Sequence, residues 1–175
     1  ISDDDTVYVV GDFGLGSKDD ISAVLSQLSG YKILIIGNHD RSRRSMLDCG
    51  FDEAMRSLDI TLSDGTYAHL RHYPLPANQL DDYDLQIHGP IHSGEPIHGK
   101  KLNVCVDMWD FYPLSEDEIL DTFHTKITDD LGTYCRFNRE GDMLTINAEI
   151  HIDELSGMSD AIFKSLYGNN RGEET

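Results

Sequence analysis

Two short apolar runs, each ending at a glycine that precedes a polar side chain, constrain the fold of this chain most. Thr6–Val10 is rich in β-branched and aromatic residues and leads through a glycine to Asp12. Ile33–Ile36 leads through a second glycine to Asn38 and His39. Apolar runs of this length, bounded by glycine, are typical of buried strands. Because loops at the carboxyl ends of strands often carry the chemistry of α/β proteins, we expect a functional site there.

The segment between the two predicted strands has the pattern of an amphipathic helix. Its apolar residues recur at helical spacing from about Lys18 to Leu28. Ser17, with Asp20 three residues later, resembles a capping box at the start of this helix. A strand, a helix and a second strand predict a β-α-β unit with parallel strands and a right-handed crossover. The two polar loops should therefore leave the same edge of one sheet, close enough to share an ion.

These loops are the first members of a series of motifs that continues along the chain. In their order, the motifs resemble those of the calcineurin-like metallophosphoesterases, especially the small stand-alone bacterial and phage members. The resemblance runs from about Thr6 to about Asp121. The motifs that carry it are Gly11-Asp12, Gly37-Asn38-His39-Asp40, His72 within Arg71–Leu75, His88-Gly89-Pro90-Ile91-His92, and Val104–Asp110 followed by Pro113-Leu114-Ser115. It implies a four-layer α/β/β/α sandwich.

The resemblance also implies a metal centre that hydrolyses phosphate esters. Asp12 corresponds to the carboxylate that bridges two metals. Asn38 and His72 correspond to ligands of one metal, and His92 corresponds to a ligand of the other. The implied cation is divalent, with Mn²⁺ as the first choice and Fe, Zn, Ni or Mg as alternatives. Two such cations about 3.5–4 Å apart clamp a phosphate and lower the pKa of a water molecule.

Further residues around this centre have implied roles of their own. His39 resembles the histidine that protonates the leaving oxygen or stabilises its developing charge. Asp40 is expected to orient His39 without itself binding the metal. Arg41 and Arg44 follow the second loop directly and can meet an anionic substrate group at its rim, although a basic helix start is the alternative interpretation. His98, in a glycine- and proline-containing loop, is the candidate for a replacement ligand or a substrate contact.

Two departures from the family pattern leave the function with two alternatives. No Asp-x-His motif precedes Asp12, so the domain is expected to lack its N-terminal strand. Pro90 stands where the family has the first histidine of Gly-His-x-His, and proline cannot bind a metal. The first alternative is a metal-dependent phosphoesterase, with one metal or two, that hydrolyses phosphodiesters or phosphomonoesters by metal-activated water. The second is a catalytically degenerate scaffold that binds another protein.

The sequence as a whole predicts an α/β domain over residues 1–127 and an extension over 128–175 that packs on this domain. A broken helix is predicted over Met46–Leu58, and Ser115 with Glu118 predicts the start of a helix that runs to about Thr125. The other expected elements are a hairpin around Ser63-Asp64-Gly65, strands over Leu85–Ile87 and Lys101–Val106, a hairpin from Gly132–Asn138 and Met143–Ile150, and a short helix over Ala161–Tyr167.

Charge restricts the class of partner. The chain has 32 acidic and 14 basic residues, for a net charge of −18. Such a field repels a phosphate backbone, so nucleic acid is not an expected partner. The expected partner is a phosphorylated small molecule or a phosphodiester substrate, with a protein partner or a second copy of the chain as further candidates. No apolar run approaches the ~18 residues of a membrane span.

Cysteine content indicates the redox compartment. Cys49, Cys105 and Cys135 are an odd number without CxxC spacing, which argues against a disulfide framework and favours a reducing environment. Cys105 lies in an apolar strand and is expected in the core. Together with the family resemblance, this predicts the cytoplasm of a bacterium or of a phage-infected host cell.

Overall fold

A computed structural model describes the backbone of residues 1–130, 134–140 and 143–149, and the side chains of residues 1–125. The chain divides into two compact units, Ile1–Phe123 and His124–Thr175. The first unit contains two sheets, and a hairpin is described in the second. The chain is thus a mixed α/β protein, as the sequence predicts. None of the helices in the described ranges is both long enough and apolar enough to cross a membrane.

The first sheet is parallel and contains the predicted β-α-β unit. Its strands lie in the order β1, β2, β3, and two helices connect them. The bounds are β1 Thr6–Val9, α1 Lys18–Leu25, β2 Tyr31–Ile35, α2 Arg43–Cys49 and β3 Glu53–Met55. The parallel pairing of β1 with β2 confirms that the two polar loops leave the same edge of one sheet.

Local sequence accounts for where the two helices begin. At the start of α1, the Ser17 hydroxyl accepts the backbone N–H of Asp20, and the Asp20 carboxylate accepts the N–H of Ser17, so the predicted capping box is confirmed. The Ser42 hydroxyl caps α2 in the same position. Each helix buries one apolar face against the sheet. The core between them contains Ile21, Leu25, Leu34, Met46, Cys49, Phe51 and Ala54.

The predicted broken helix over 46–58 is wrong beyond α2. Gly50 has a φ of 122°, a left-handed conformation that glycine tolerates and that ends the helix. After Gly50, the N–H of Asp52 donates to the carbonyl of Lys32 at 3.0 Å, and the chain continues as β3 beside β2. Burial of Ala54 at the centre of β3 shows that the sheet interior, rather than helical spacing, determines this segment.

The second sheet has five strands in the order β4-β5-β6-β8-β7 and mixes parallel with antiparallel pairs. The predicted hairpin around residues 63–65 is confirmed as the antiparallel pair β4 and β5. A short 3₁₀ helix, Ala77–Gln79, lies between β5 and β6, and a second, Val106–Met108, follows β8. The strand bounds are β4 Ser57–Thr61, β5 Tyr67–Arg71, β6 Leu85–His88, β7 Ile97–His98 and β8 Lys101–Asn103.

A third helix and a hairpin complete the described elements. The helix α3 spans Glu116–Asp130, longer than predicted, and its start carries the expected box between Ser115 and Glu118. The strands β9, Tyr134–Glu140, and β10, Met143–Glu149, pair antiparallel, which confirms the predicted hairpin. The short helix predicted over 161–167 lies outside the described residues.

Candidate metal centre

Two glycines allow the loops after β1 and β2 to touch. A Cβ atom on Gly37 would overlap the Oδ1 atom of Asp12 and lie 2.7 Å from its backbone nitrogen. Gly11 has a φ of 87°, and a Cβ there would overlap the ring of His72. The Asp12 carboxylate spans the gap, because its Oδ1 accepts the backbone N–H of His39 at 2.8 Å. Asp12 is itself left-handed, with a φ of 55°. Both loops are therefore held at contact distance.

Asp40 holds the two loops together by accepting hydrogen bonds from their backbone. Its Oδ2 accepts the N–H of Asp12 at 2.9 Å and that of Gly37 at 2.8 Å, and its Oδ1 accepts the N–H of Phe13 at 2.9 Å. The carboxylate thus bridges the two loops. The sequence predicts that Asp40 orients His39. The structure instead shows both Asp40 oxygens bonded to loop backbone, because the chain turns back at Asp40 toward the end of β1.

His72, directly after β5, brings the second sheet to these loops. Its side chain is 3% exposed. The ring Nδ1 lies 3.0 Å from the carbonyl oxygen of Val10, which can only accept, so Nδ1 carries a proton. The opposite nitrogen, Nε2, lies 3.3 Å from Asp12 Oδ2 and 3.1 Å from Asn38 Oδ1. In a neutral ring Nε2 carries a lone pair, and this lone pair faces the two oxygens.

The donor set therefore fits a divalent cation. A carboxylate oxygen and an amide oxygen both face one imidazole nitrogen, and a positive charge among them relieves the repulsion of their lone pairs. Hard and borderline cations such as Mn²⁺ prefer this mixture of donors. Tyr73 reinforces the arrangement, because its hydroxyl donates to Asn38 Oδ1. Three residues far apart in sequence, Asp12, Asn38 and His72, are brought together as the motif pattern predicts.

The predicted catalytic and substrate-binding side chains around this point are exposed. His39 and Arg44 both lie at the surface. The Arg41 guanidinium donates to the carbonyl of Gly16 at 3.0 Å, which fastens the loop before α1. One Nη atom of Arg41 is thus committed to backbone, while its planar group keeps further donors.

The contacts of His92 are with a different set of residues from the group of Asp12, Asn38 and His72. Its side chain is 74% exposed, and its Nδ1 lies 2.5 Å from Asp107 Oδ2 and 3.5 Å from Cys105 Sγ. Hydrogen bonds from His92, and next from Cys105, lower the pKa of Asp107. Burial raises the pKa of the Cys105 thiol. Cys105 is indeed buried, as the sequence predicts, but its sulfur faces polar partners as well as the core.

His98 lies elsewhere, beside a small cavity. The cavity measures about 190 Å³, and His98 lines it together with His88, Pro74 and Lys101. His88 is buried, and its Nδ1 has no hydrogen-bond partner among the described residues. Burial, and then the positive charge of Lys101, lower the pKa of His88 to about 4. The structure therefore shows His98 grouped with His88 rather than with the contacts of Asp12.

Three contributing residues were not singled out as site residues from the sequence. Tyr73 holds Asn38, and its position next to His72 was the available signal. Cys105 and Asp107 stand two residues apart, a spacing that can place both side chains on one side of an extended segment. The apolar neighbours of Cys105 concealed this signal.

Comparison with known proteins informs the fold only. No protein-family model matches the chain, and no curated protein matches it. The chain is similar to the solved structure of the protein of unknown function AQ665 from Aquifex aeolicus, with 29% sequence identity and a TM-score of 0.58. The similarity covers 70% of this chain and 78% of that chain. Because the function of AQ665 is itself unknown, the similarity carries no information on activity.

Proposed function

We propose that this chain is a metal-dependent phosphoesterase with the four-layer sandwich of the calcineurin-like metallophosphoesterases. The observation that carries the proposal is the position of His72. Its Nδ1 is committed to the Val10 carbonyl, and its Nε2 faces Asp12 Oδ2 and Asn38 Oδ1 at 3.3 and 3.1 Å. The motif resemblance assigns these three residues to one metal, and their contacts support that assignment.

The roles of the residues follow from where they lie. Asp12, Asn38 and His72 would hold the cation, which supplies charge to neutralise a phosphate and to acidify a water molecule. His39 follows Asn38 directly, and its backbone N–H is fixed on Asp12, so its exposed ring can deliver a proton to a leaving oxygen. Arg44, exposed beside the loop, can bind an anionic group of the substrate.

The proposal needs one cation. The resemblance assigns His92 to a second metal, but His92 contacts Asp107 and Cys105. Pro90 removes another ligand of the family pattern. A site with three protein ligands and open positions for water is sufficient for catalysis in other metalloenzymes. The proposed substrate is a phosphodiester or a phosphorylated small molecule. The compartment that we propose is the cytoplasm, because Cys49 and Cys105 are free, buried thiols.

Hydrolysis of bis(p-nitrophenyl) phosphate tests the proposal. After treatment with a chelator, the protein should regain activity on addition of Mn²⁺. His39→Ala should lower kcat by about 10²–10⁴-fold, the typical contribution of general acid catalysis. Asp12→Asn should lower both the affinity for Mn²⁺ and the rate of hydrolysis. His69→Gln is the control, since His69 lies on β5, pairs with Asp59 at 2.6 Å and is not one of the proposed site residues.

Two results would contradict the proposal. Hydrolysis that is equal in His39→Ala and the unaltered chain would indicate a contaminant or another mechanism. Absence of Mn²⁺-dependent turnover by the unaltered chain would favour the second candidate. That candidate is a catalytically inactive scaffold for a protein partner or a second copy of the chain, and the replacement of a ligand by Pro90 is the observation that favours it.

A further inference from the structure

We propose a second metal site, built on a cysteine thiolate, that takes zinc or a cation of similar chemistry. His92, Cys105 and Asp107 form it, and their donor atoms all lie within 4.8 Å of one another. Cys105 Sγ lies 3.5 Å from His92 Nδ1 and 3.4 Å from Asp107 Oδ2. None of these residues is among Asp12, Asn38 and His72, which hold the single cation of the proposed phosphoesterase, so this proposal does not rest on that activity.

A buried asparagine holds the two segments of the site together. Asn103, 3% exposed, ends β8, the neighbour of β6 in the second sheet. Its Nδ2 donates to the carbonyl of Ile91, next to His92, and its Oδ1 accepts the N–H of Cys105 at 3.2 Å. One side chain thereby fixes the backbone on both sides of the candidate site. Such preorganisation distinguishes a built site from a chance surface cluster.

The geometry argues against a nucleophilic Cys-His-Asp triad. In such a triad the nucleophile and the carboxylate contact opposite nitrogens of the imidazole. Here the thiol of Cys105 and the carboxylate of Asp107 both approach the same atom, His92 Nδ1. Convergence of three donor atoms on a common point is what a metal ion requires.

The donor types and their separations suit zinc. Zinc binds sulfur, imidazole nitrogen and carboxylate oxygen, and ligands at 2.0–2.3 Å around a tetrahedral ion stand roughly 3.3–3.8 Å apart. The two contacts of the sulfur lie in this range. The contact between His92 and Asp107, at 2.5 Å, is a proton-sharing distance that must widen. The exposed ring of His92 is free to rotate, and the cation releases the thiol proton to solvent as it binds.

Cobalt spectroscopy on chelator-treated protein tests this site. Co²⁺ bound to a thiolate gives a near-ultraviolet charge-transfer band, which the group of Asp12, Asn38 and His72 cannot produce because it contains no sulfur. The full chain should give this band, and Zn²⁺ should bleach it. Cys105→Ser should abolish it. Cys49→Ser, which alters the buried thiol on α2, and Cys135→Ser should both retain it.

Exposed ligands supply a second, independent measurement that does not depend on a core substitution. Asp107→Asn and His92→Gln should each weaken Zn²⁺ affinity by at least about 10-fold, by competition with a chromophoric chelator. Asp12→Asn should leave the charge-transfer band intact, whatever it does to hydrolysis. A band that survives Cys105→Ser, or a Zn²⁺ affinity unchanged in both exposed variants, would overturn the site without affecting the phosphoesterase proposal.

Discussion

At the scale of single residues, Asp40 has the clearest structural role near the candidate metal centre. Asp40→Asn replaces one of two oxygens that together accept three backbone N–H groups, from Asp12, Phe13 and Gly37. An amide NH₂ cannot accept, so the variant should lose about 1–3 kcal/mol of the free energy of unfolding, as for a hydrogen bond to a charged group. Urea denaturation measures the change.

A second readout separates this role from one in catalysis. The same substitution should weaken Mn²⁺ binding, because the loops that carry Asp12 and Asn38 are no longer fixed to each other. Asp81→Asn, on an exposed loop, is the control and should change neither quantity. If Asp40→Asn lowered kcat at unaltered stability and unaltered Mn²⁺ affinity, Asp40 would be acting on His39 as the sequence predicts.

Sequence patterns predicted part of the candidate site and concealed the rest. Asp12, Asn38 and His72 could be grouped because each follows an apolar strand in a recognisable motif order. The partners of Asp40 could not be predicted, because they depend on the path of two loop backbones. Cys105 was expected in the core, and it is buried, but a position in an apolar segment does not reveal which atoms its sulfur faces.

At the scale of elements, contact between the β1 and β2 loops depends on the absence of a side chain at Gly37. Gly37→Ala should push these loops apart, because the new Cβ would overlap Asp12 Oδ1 and crowd its nitrogen. Mn²⁺ affinity should fall by at least about 10-fold, the effect of misplacing ligand geometry. Isothermal titration calorimetry measures it.

Gly14→Ala is the matched control for that substitution. Gly14 lies in the β1–α1 connection, two residues after Asp12, and the nearest atom to a Cβ there is 3.7 Å away on Ile21, an ordinary contact. Mn²⁺ affinity should be unchanged in this variant. Equal affinity in both alanine variants would show that the loops need not touch to bind the ion.

Elements with local signals were predicted better than those set by packing. The two predicted β-hairpins, β4–β5 and β9–β10, and the capped helices α1 and α3 carry turn or capping residues that determine them locally. The strand β3 has no such signal. Glu53–Met55 is three residues long, and it becomes a strand only because β2 offers an open edge beside it. Tertiary pairing of this kind overrides a short helical pattern.

At the scale of the whole molecule, a net charge of −18 attracts divalent cations in general. Weak binding of Mn²⁺ or Zn²⁺ would therefore be expected without any specific site. The total amount of metal bound does not distinguish such binding from binding at the proposed sites. The isosteric variants at Asp12 and Asp107 change net charge by the same amount as the Asp81→Asn control. A difference among these variants thus reports on the site geometry, since the overall field is equal.

Global stability should depend on pH through His88. Its side chain is 5% exposed, and burial lowers its pKa from 6.5 to about 4. Below pH 6.5 the unfolded chain binds a proton that the folded chain does not accept until about pH 4. Folding stability from this group is therefore fully present above pH 6.5 and declines as the pH falls toward 4. The loss amounts to at most ~3 kcal/mol.

The slope of stability against pH, rather than stability at one pH, identifies the group responsible. His88→Gln should flatten the decline in the free energy of unfolding between pH 6.5 and 4, even if the variant is less stable throughout. His98→Gln changes an exposed histidine beside the same cavity and should retain the full slope. Carboxylates titrate equally in all three proteins, so their contribution cancels in the comparison. Parallel curves for His88→Gln and the unaltered chain would show that burial of His88 does not govern its proton affinity.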